Sequence, residues 1–305
     1  MNFVISEGWG FVFIGCYLSL ILLGIILSQA LTYSQNCEKD PSWQKIFVAV
    51  LVTLDAFASA IAMAWMYQLF IDGWGDAGAF VTANWLLAAD PMLNGVIACM
   101  VQLFFAWRLH IVGSQWWLTL FIAICSFAAL CGGVGTGIAI LWIKEYALLG
   151  NAKPIGCTWV FGAIVADIAI TVALSYHLRR RKGSFKTTDD LVDRIVQLTL
   201  QNGLLTSLVA VVDITLYLST SKLYHIAFTF LMPKLYANSV LSSLNARKSL
   251  QLLAFPSSGE HGGRSLVESR AFRSQHPSQP ERRGPEIFVE IHEMTDSDSI
   301  NTGKC

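Results

Sequence analysis

A lysine stands inside a long apolar run, in the stretch PKLYANS that begins at Pro233. In a helix over residues 222–246, Lys234 would lie roughly 17 Å from either end at a rise of 1.5 Å per residue. Its side chain reaches only about 6 Å, so the ammonium cannot extend to a membrane surface from that depth. A lone charge there is costly. We therefore expect Lys234 to face the interior of a helix bundle and to have an anionic partner.

Other apolar runs carry polar residues at similar depths, counted as about ten or eleven residues from a run's end. They are Asp55, Asp167 and Asn202, with Asn94 slightly nearer the outer side. Together with Lys234 they predict one buried polar cluster. Its two carboxylates and one ammonium leave one negative charge uncompensated, so either desolvation keeps one aspartate protonated or a cation or proton site exists. Asp90 and Asp213 lie closer to the outer face, where hydration is cheaper.

The predicted cluster has three interpretations. It can be a structural contact that sets helix register, with Lys234 paired to Asp55 or Asp167 and no ligand. It can instead be an ion pair that marks a ligand or proton pathway. The third is a Schiff-base lysine of the kind found in retinal proteins. Phe230, however, stands four residues before Lys234, where the microbial photoreceptor pattern has an aspartate.

Two patterns within the runs bear on helix geometry. Pro233 removes a backbone hydrogen bond, which frees the carbonyl of Thr229 and permits a kink. Gly133 and Gly137 are four residues apart in a fourth run, a spacing that lets two membrane helices approach closely. We expect that glycine pair to serve helix packing.

Composition sets the class of protein in which these residues lie. Hydrophobic residues make up 54% of the 305 positions and charged residues only 14%, whereas ordinary soluble domains have about 25% charged residues. Apolar runs of membrane-spanning length occur at 9–33, 45–71, 85–111, 116–143, 156–178, 191–218 and 222–246. The sequence therefore predicts an all-α integral membrane domain over residues 1–248, a bundle of seven helices.

Positive charges are distributed unequally between the connections on the two sides of the membrane. With the N-terminus outside, the cytoplasmic set is Lys39, Lys45, Arg108, Arg179, Arg180, Arg181, Lys182, Lys186, Arg194, Arg247 and Lys248. The outer set is only Lys144, Lys153 and Lys222. Because lysine and arginine favour the cytoplasmic side, we expect the N-terminus outside and the C-terminal segment in the cytoplasm. The first run is longer than a signal-peptide core, so we expect it to be retained as a helix.

The cytoplasmic segments suggest contacts with lipid and with protein. Arg179, Arg180, Arg181 and Lys182 form a cationic cluster that can bind anionic lipid headgroups. Residues 249–305 are predicted to be a tail that begins with a short interfacial helix at NARKSLQLLAF and is otherwise disordered, because it is poor in aromatic residues. The tail is a candidate binding segment for a cytosolic partner. Nothing in the sequence indicates a nucleic-acid partner or a cofactor.

Two stretches carry a family resemblance. GSFKTTDDLVDRIVQLTLQNGLLTSLVA and PKLYANSVLSSLNAR resemble the C-terminal signature of a large fungal, basidiomycete-type family of seven-pass membrane proteins of unknown function. The likeness covers residues 160–248, and QLFFAWRLH extends it upstream toward the second run. The resemblance implies a seven-helix membrane architecture and a fungal source. It implies no activity.

The sequence is compatible with several classes of function. A receptor-like sensor fits seven helices with an outside N-terminus and a cytoplasmic tail. A small-solute or proton transporter fits the charges at mid-membrane depth, although an odd number of helices without an evident repeat is unusual for that class. A structural membrane protein without a ligand is the third alternative. An enzyme has least support, because His110, His177 and His225 fall near the ends of runs and no catalytic motif appears. We rank the sensor first and predict no catalytic residues.

Overall fold

Helices account for most of the residues that the computed structural model describes, which are 2–38, 40–180, 186–220 and 223–254. The α-helices are α1 (Asn2–Asn36), α2 (Ser42–Tyr67), α3 (Trp85–Gly113), α4 (Trp116–Ile143), α5 (Lys153–Arg180), α6 (Lys186–Ser219), α7 (Tyr224–Thr229) and α8 (Met232–Ala254). A π-helical turn, Gln68–Asp72, continues α2, and 3-10 turns cover Ala77–Phe80 and Tyr146–Ala152. These ranges contain no β-strand beyond an isolated bridge between Thr82 and Glu145. The predicted tail lies outside the described residues from position 255 onward.

Six of the described helices are long and apolar enough to cross a membrane, and they confirm the prediction of an all-helical, multi-pass chain. The first six predicted runs lie along α1 through α6, and the second run continues past the end of α2 into the π-helical turn. The seventh run, 222–246, is divided between α7 and α8. The count of seven spans therefore stays a prediction.

The helices pack as a closed ring in chain order. Each of α1 to α5 contacts the next helix, α6 contacts both α7 and α8, and α1 contacts those two in turn. Helix α3 also touches α5 and α8, which places it at the centre of the bundle. The end of the bundle at which α1 begins is called the N-terminal end below. It also holds the α2–α3, α4–α5 and α6–α7 connections.

The distribution of exposed residues is the reverse of that in a water-soluble protein. Large apolar side chains stand on the outer surface, with Ile21 64% exposed, Val172 63% and Leu208 62%. Charged groups lie inside, with Asp55 0% exposed and Lys234 2%. Exposed apolar surface on this scale is stable against lipid rather than water.

Small residues allow α4 to lie directly against α3. A Cβ atom at Gly133 would come within 2.8 Å of the carbonyl oxygen of Pro91, and one at Gly137 within 2.6 Å of the carbonyl oxygen of Ala88. Both distances are too short for a side chain. The predicted packing role of this glycine pair is confirmed.

Two connections pair with each other at the N-terminal end. The amide of Ala83 donates to the carbonyl of Lys144 at 2.6 Å, and the amide of Tyr146 donates to the carbonyl of Val81 at 3.1 Å. Trp9 of α1 packs edge-on against Tyr146, with ring centroids 5.2 Å apart. These contacts hold the two connections together over the ends of the helices.

Candidate functional site

Lys234 of α8 forms an ion pair with Asp55 of α2. Its Nζ lies 2.9 Å from Oδ1 of Asp55 and donates a second hydrogen bond, 3.0 Å long, to the main-chain oxygen of the same residue. Both side chains are almost completely buried. Of the two partners that the sequence left open, the structure brings Asp55 to the ammonium.

Asp167 of α5 lies in a separate contact. Gln102 of α3 donates from Nε2 to its Oδ1 at 2.9 Å, and Tyr236 of α8 donates from its hydroxyl to Oδ2 at 2.8 Å. Among the described residues, no lysine or arginine lies within 4.0 Å of this carboxylate. Within the described residues, Asp167 is therefore solvated by neutral dipoles rather than by a counter-charge.

The two asparagines of the predicted cluster also have partners of their own. Asn94 donates to the main-chain oxygen of Thr229 at 2.8 Å, and Asn202 donates to the hydroxyl of Ser242 at 2.8 Å. The five predicted residues are thus distributed over four hydrogen-bonded contacts. A single continuous cluster does not form among them.

The helix is interrupted close to Pro233, where the sequence predicted that a kink is permitted. Helix α7 ends at Thr229 and α8 begins at Met232. Pro233 has no amide proton for the Thr229 carbonyl, and Asn94 supplies the missing donor from α3. A buried carbonyl without a partner would be destabilising, so this asparagine stabilises the break in the helix.

A cavity of about 160 Å³ lies at the N-terminal end between α3, α4, α5, α6, α7 and the Tyr146–Ala152 turn. It has room for roughly a dozen water molecules. Asp90 of α3 and Asp213 of α6 line it and are only 7% and 4% exposed. The sequence placed both near a hydrated face, but depth along a helix does not show what the neighbouring helices and connections cover.

Electrostatic interactions link the two cavity aspartates to each other and to the ion pair. Asp213 is close enough to interact with the charge of Asp90, and Asp90 with the charge of Lys234. Thr229 donates a hydrogen bond to Asp213 at 3.2 Å. In the described part of the chain, neither carboxylate has a lysine or arginine within 4.0 Å. The cavity therefore has a buried acidic wall.

Aromatic and basic residues complete the lining. Tyr146, Trp159 and Tyr217 face the same space, and the Tyr217 ring lies edge-on to His225 with centroids 4.9 Å apart. Burial raises the pKa of Tyr146, which lies in the connection between α4 and α5, to about 12. Its hydroxyl stays neutral at physiological pH. Lys153 also lines the cavity and is partly exposed.

The predicted lipid-headgroup cluster is described only in part. Arg179 and Arg180 are exposed in the last turn of α5. Arg181 and Lys182 lie outside the described residues. Over the residues that are described, no group of three or more His, Cys, Asp or Glu side chains could hold a metal ion.

Comparison with known proteins finds a match for about the last third of residues 1–248. Residues 163–249 match a family of unknown function, DUF6534. No curated protein and no solved structure matches the chain. The matched segment begins in α5 and includes Asp167, Asp213 and Lys234. The fungal source implied by the sequence stays a prediction.

Proposed function

We propose that this chain is a receptor-like membrane sensor whose ligand is a small organic cation bound in the cavity at the N-terminal end. In this proposal α7 and α8 together form a seventh span, the N-terminus is extracytoplasmic and the tail is cytoplasmic. The unequal distribution of lysine and arginine supports that orientation. The cavity would then open toward the outside of the membrane.

The observation that carries the proposal is the pair of buried carboxylates in a cavity with aromatic walls. Asp90 and Asp213 are both buried against this cavity, and a cation between them would balance their negative charge. Tyr146, Trp159 and Tyr217 present ring surfaces to the same space, and such surfaces attract organic cations. An apolar pocket with a few convergent polar groups is the usual form of a small-molecule site.

Contacts of the same residues connect the cavity to the rest of the bundle. Thr229 donates to Asp213 and accepts from Asn94 at the end of α7, where the seventh span is broken. Asp90 interacts with Lys234 on the other side of the break. A cation that reorients Asp213 or Asp90 would therefore change the forces on both pieces of the span. A helix with a break of this kind can act as the two-state element that a sensor needs.

A transporter is the second candidate, favoured by the row of buried charges from Asp213 through Asp90 to Lys234. It would need a path from the cavity past the ion pair to the opposite end. The cavity lining includes neither Lys234 nor Asp55. A cavity that does not reach the ion pair suits a sensor better than a transporter.

Ligand-dependent thermal stability tests the proposal. Choline should raise the unfolding temperature of the detergent-solubilised protein by several degrees in potassium chloride, because a ligand that binds only the folded state stabilises it. Its neutral isostere 3,3-dimethyl-1-butanol should have little effect. Asp213→Asn should abolish the choline shift. Asp72→Asn, which removes an exposed carboxylate at the same end, should retain it.

Two outcomes would refute the cationic ligand. Equal shifts with choline and with the isostere would mean that the cavity selects shape alone. An undiminished choline shift in Asp213→Asn would mean that the cation binds elsewhere.

A further inference from the structure

A second cavity lies beside Asp167, away from the N-terminal cavity and sharing no lining residue with it. It measures about 30 Å³ and is enclosed by α3, α5, α6 and α8. That volume accommodates roughly two water molecules. Gly203 of α6 lines it, at a point where a Cβ atom would collide with Thr171 of α5. The close approach of these two helices keeps the cavity small.

Charge balance leaves Asp167 in need of a cation. Lys234, the buried lysine nearest in depth, is bound to Asp55. Asp167 itself is 6% exposed, and among the described residues its carboxylate accepts hydrogen bonds from neutral side chains, those of Gln102, Tyr236 and Thr206. Among the residues that line this cavity, Asp167 is the one with a formal charge. An anion at mid-membrane depth without a counter-ion is strongly disfavoured.

The cavity also presents uncharged oxygen atoms. Oε1 of Gln102 is buried and has no hydrogen-bond partner among the described residues, although the opposite side of the same amide is bound to Asp167. Hydroxyl groups of Thr171, Thr206 and Ser239 line the same space. No nitrogen or sulfur ligand of a soft metal lines it. A set of carboxylate, amide and hydroxyl oxygens matches the preference of hard cations.

We propose that this cavity is a sodium site in which Asp167 supplies the charge and Gln102 Oε1 and the hydroxyl oxygens supply further ligands. The ion neutralises the carboxylate, and the unpartnered amide oxygen of Gln102 coordinates it. The small volume favours sodium over the larger potassium ion. The site links four helices, so its occupancy would stabilise the packing of α5 and α6 against α3 and α8.

Replacing potassium by sodium at constant ionic strength tests the site. The unfolding temperature of the wild-type protein should rise with sodium in a saturable way. Asp167→Asn should abolish the rise. Thr171→Val, which removes one hydroxyl and keeps the carboxylate, should raise the half-saturating sodium concentration about tenfold. Asp213→Asn should respond to sodium like the wild type, so failure of the choline experiment would leave this result unaffected.

Three results would overturn the sodium site. A wild-type protein that does not distinguish sodium from potassium would mean that Asp167 is protonated or contacts only water. A full sodium response in Asp167→Asn would place the ion elsewhere. If Asp167→Asn does not fold, an unchanged half-saturating concentration in Thr171→Val would equally exclude the proposed ligand set.

Discussion

Two aspartates at similar depth are stabilised in different ways. Asp55 is paired with the charged Lys234, whose Nζ lies 2.9 Å from its Oδ1, whereas Asp167 accepts hydrogen bonds from neutral side chains. Removing one member of a buried ion pair leaves an uncompensated charge, which costs far more than the pair contributes over an apolar replacement. The stability of the bundle should therefore depend on Lys234 mainly through Asp55.

A double-mutant cycle measures this dependence. Lys234→Met should lower the free energy of unfolding by about 3–5 kcal/mol, because it leaves Asp55 charged and unpaired. Adding Asp55→Asn should restore about 1–3 kcal/mol, the range of coupling found between contacting residues. Unfolding of the purified protein in detergent, monitored by circular dichroism, provides the measurement.

Asp167→Asn is the matched control in that cycle. When it is combined with Lys234→Met, the two losses in the free energy of unfolding should be nearly additive, because the two residues make no direct contact in the structure. Strong coupling of Lys234 to Asp167 in place of Asp55 would contradict the assigned pair.

Depth along the helices predicted which polar residues are buried, but not all of their partners. It placed Asp55, Asp167 and Lys234 at similar levels, and all three are buried. Which of the two aspartates pairs with Lys234 depends on how each helix is rotated about its axis. Apolar residues are so closely spaced in these runs that their pattern carries little information on that rotation. The burial of Asp90 and Asp213 depends on six different elements, which no local pattern could show.

At the scale of helices, the break between α7 and α8 is the distinctive element. Pro233 removes the donor for the Thr229 carbonyl, and Asn94 of α3 replaces it at 2.8 Å. The kink was predictable from the proline alone, because its chemistry is local. The replacement donor was not, since it comes from a residue 135 positions earlier in the chain.

Substitutions at both positions test this exchange of donors. Asn94→Leu should lower the free energy of unfolding by about 1–3 kcal/mol, because it leaves the buried Thr229 carbonyl without a partner. In the Asn94→Leu background, Pro233→Ala restores an amide proton and should recover about 1 kcal/mol of that loss. Chemical unfolding of the single and double variants is the measurement.

The comparison between backgrounds serves as the control. With Asn94 present, the carbonyl already has a donor, so Pro233→Ala should give less stabilisation than it does beside Asn94→Leu. An identical effect of Pro233→Ala in both backgrounds would show that the asparagine and the proline are not linked through this carbonyl.

At the scale of the whole molecule, the described part of the bundle has an apolar outer surface, buried charges and a cavity of about 160 Å³ at the N-terminal end. The apolar runs predicted six membrane-length helices closely, because burial in lipid imposes length and composition directly on the sequence. The cavity was not predicted, since it depends on how connections pair above the helix ends. Its proposed role as an outward-facing cation site combines the predicted orientation, the fold and the proposed function.

Accessibility of the cavity in intact cells tests that combination most directly. Leu149 lines the cavity from the Tyr146–Ala152 turn, and Gln115 is exposed in the connection between α3 and α4 at the opposite end. A membrane-impermeant, positively charged thiol reagent should label Leu149→Cys from outside, and choline should slow that labelling. Gln115→Cys should be labelled only after permeabilisation. Labelling of Gln115→Cys alone in intact cells, or labelling of Leu149→Cys that choline does not slow, would contradict an outward-facing cation site.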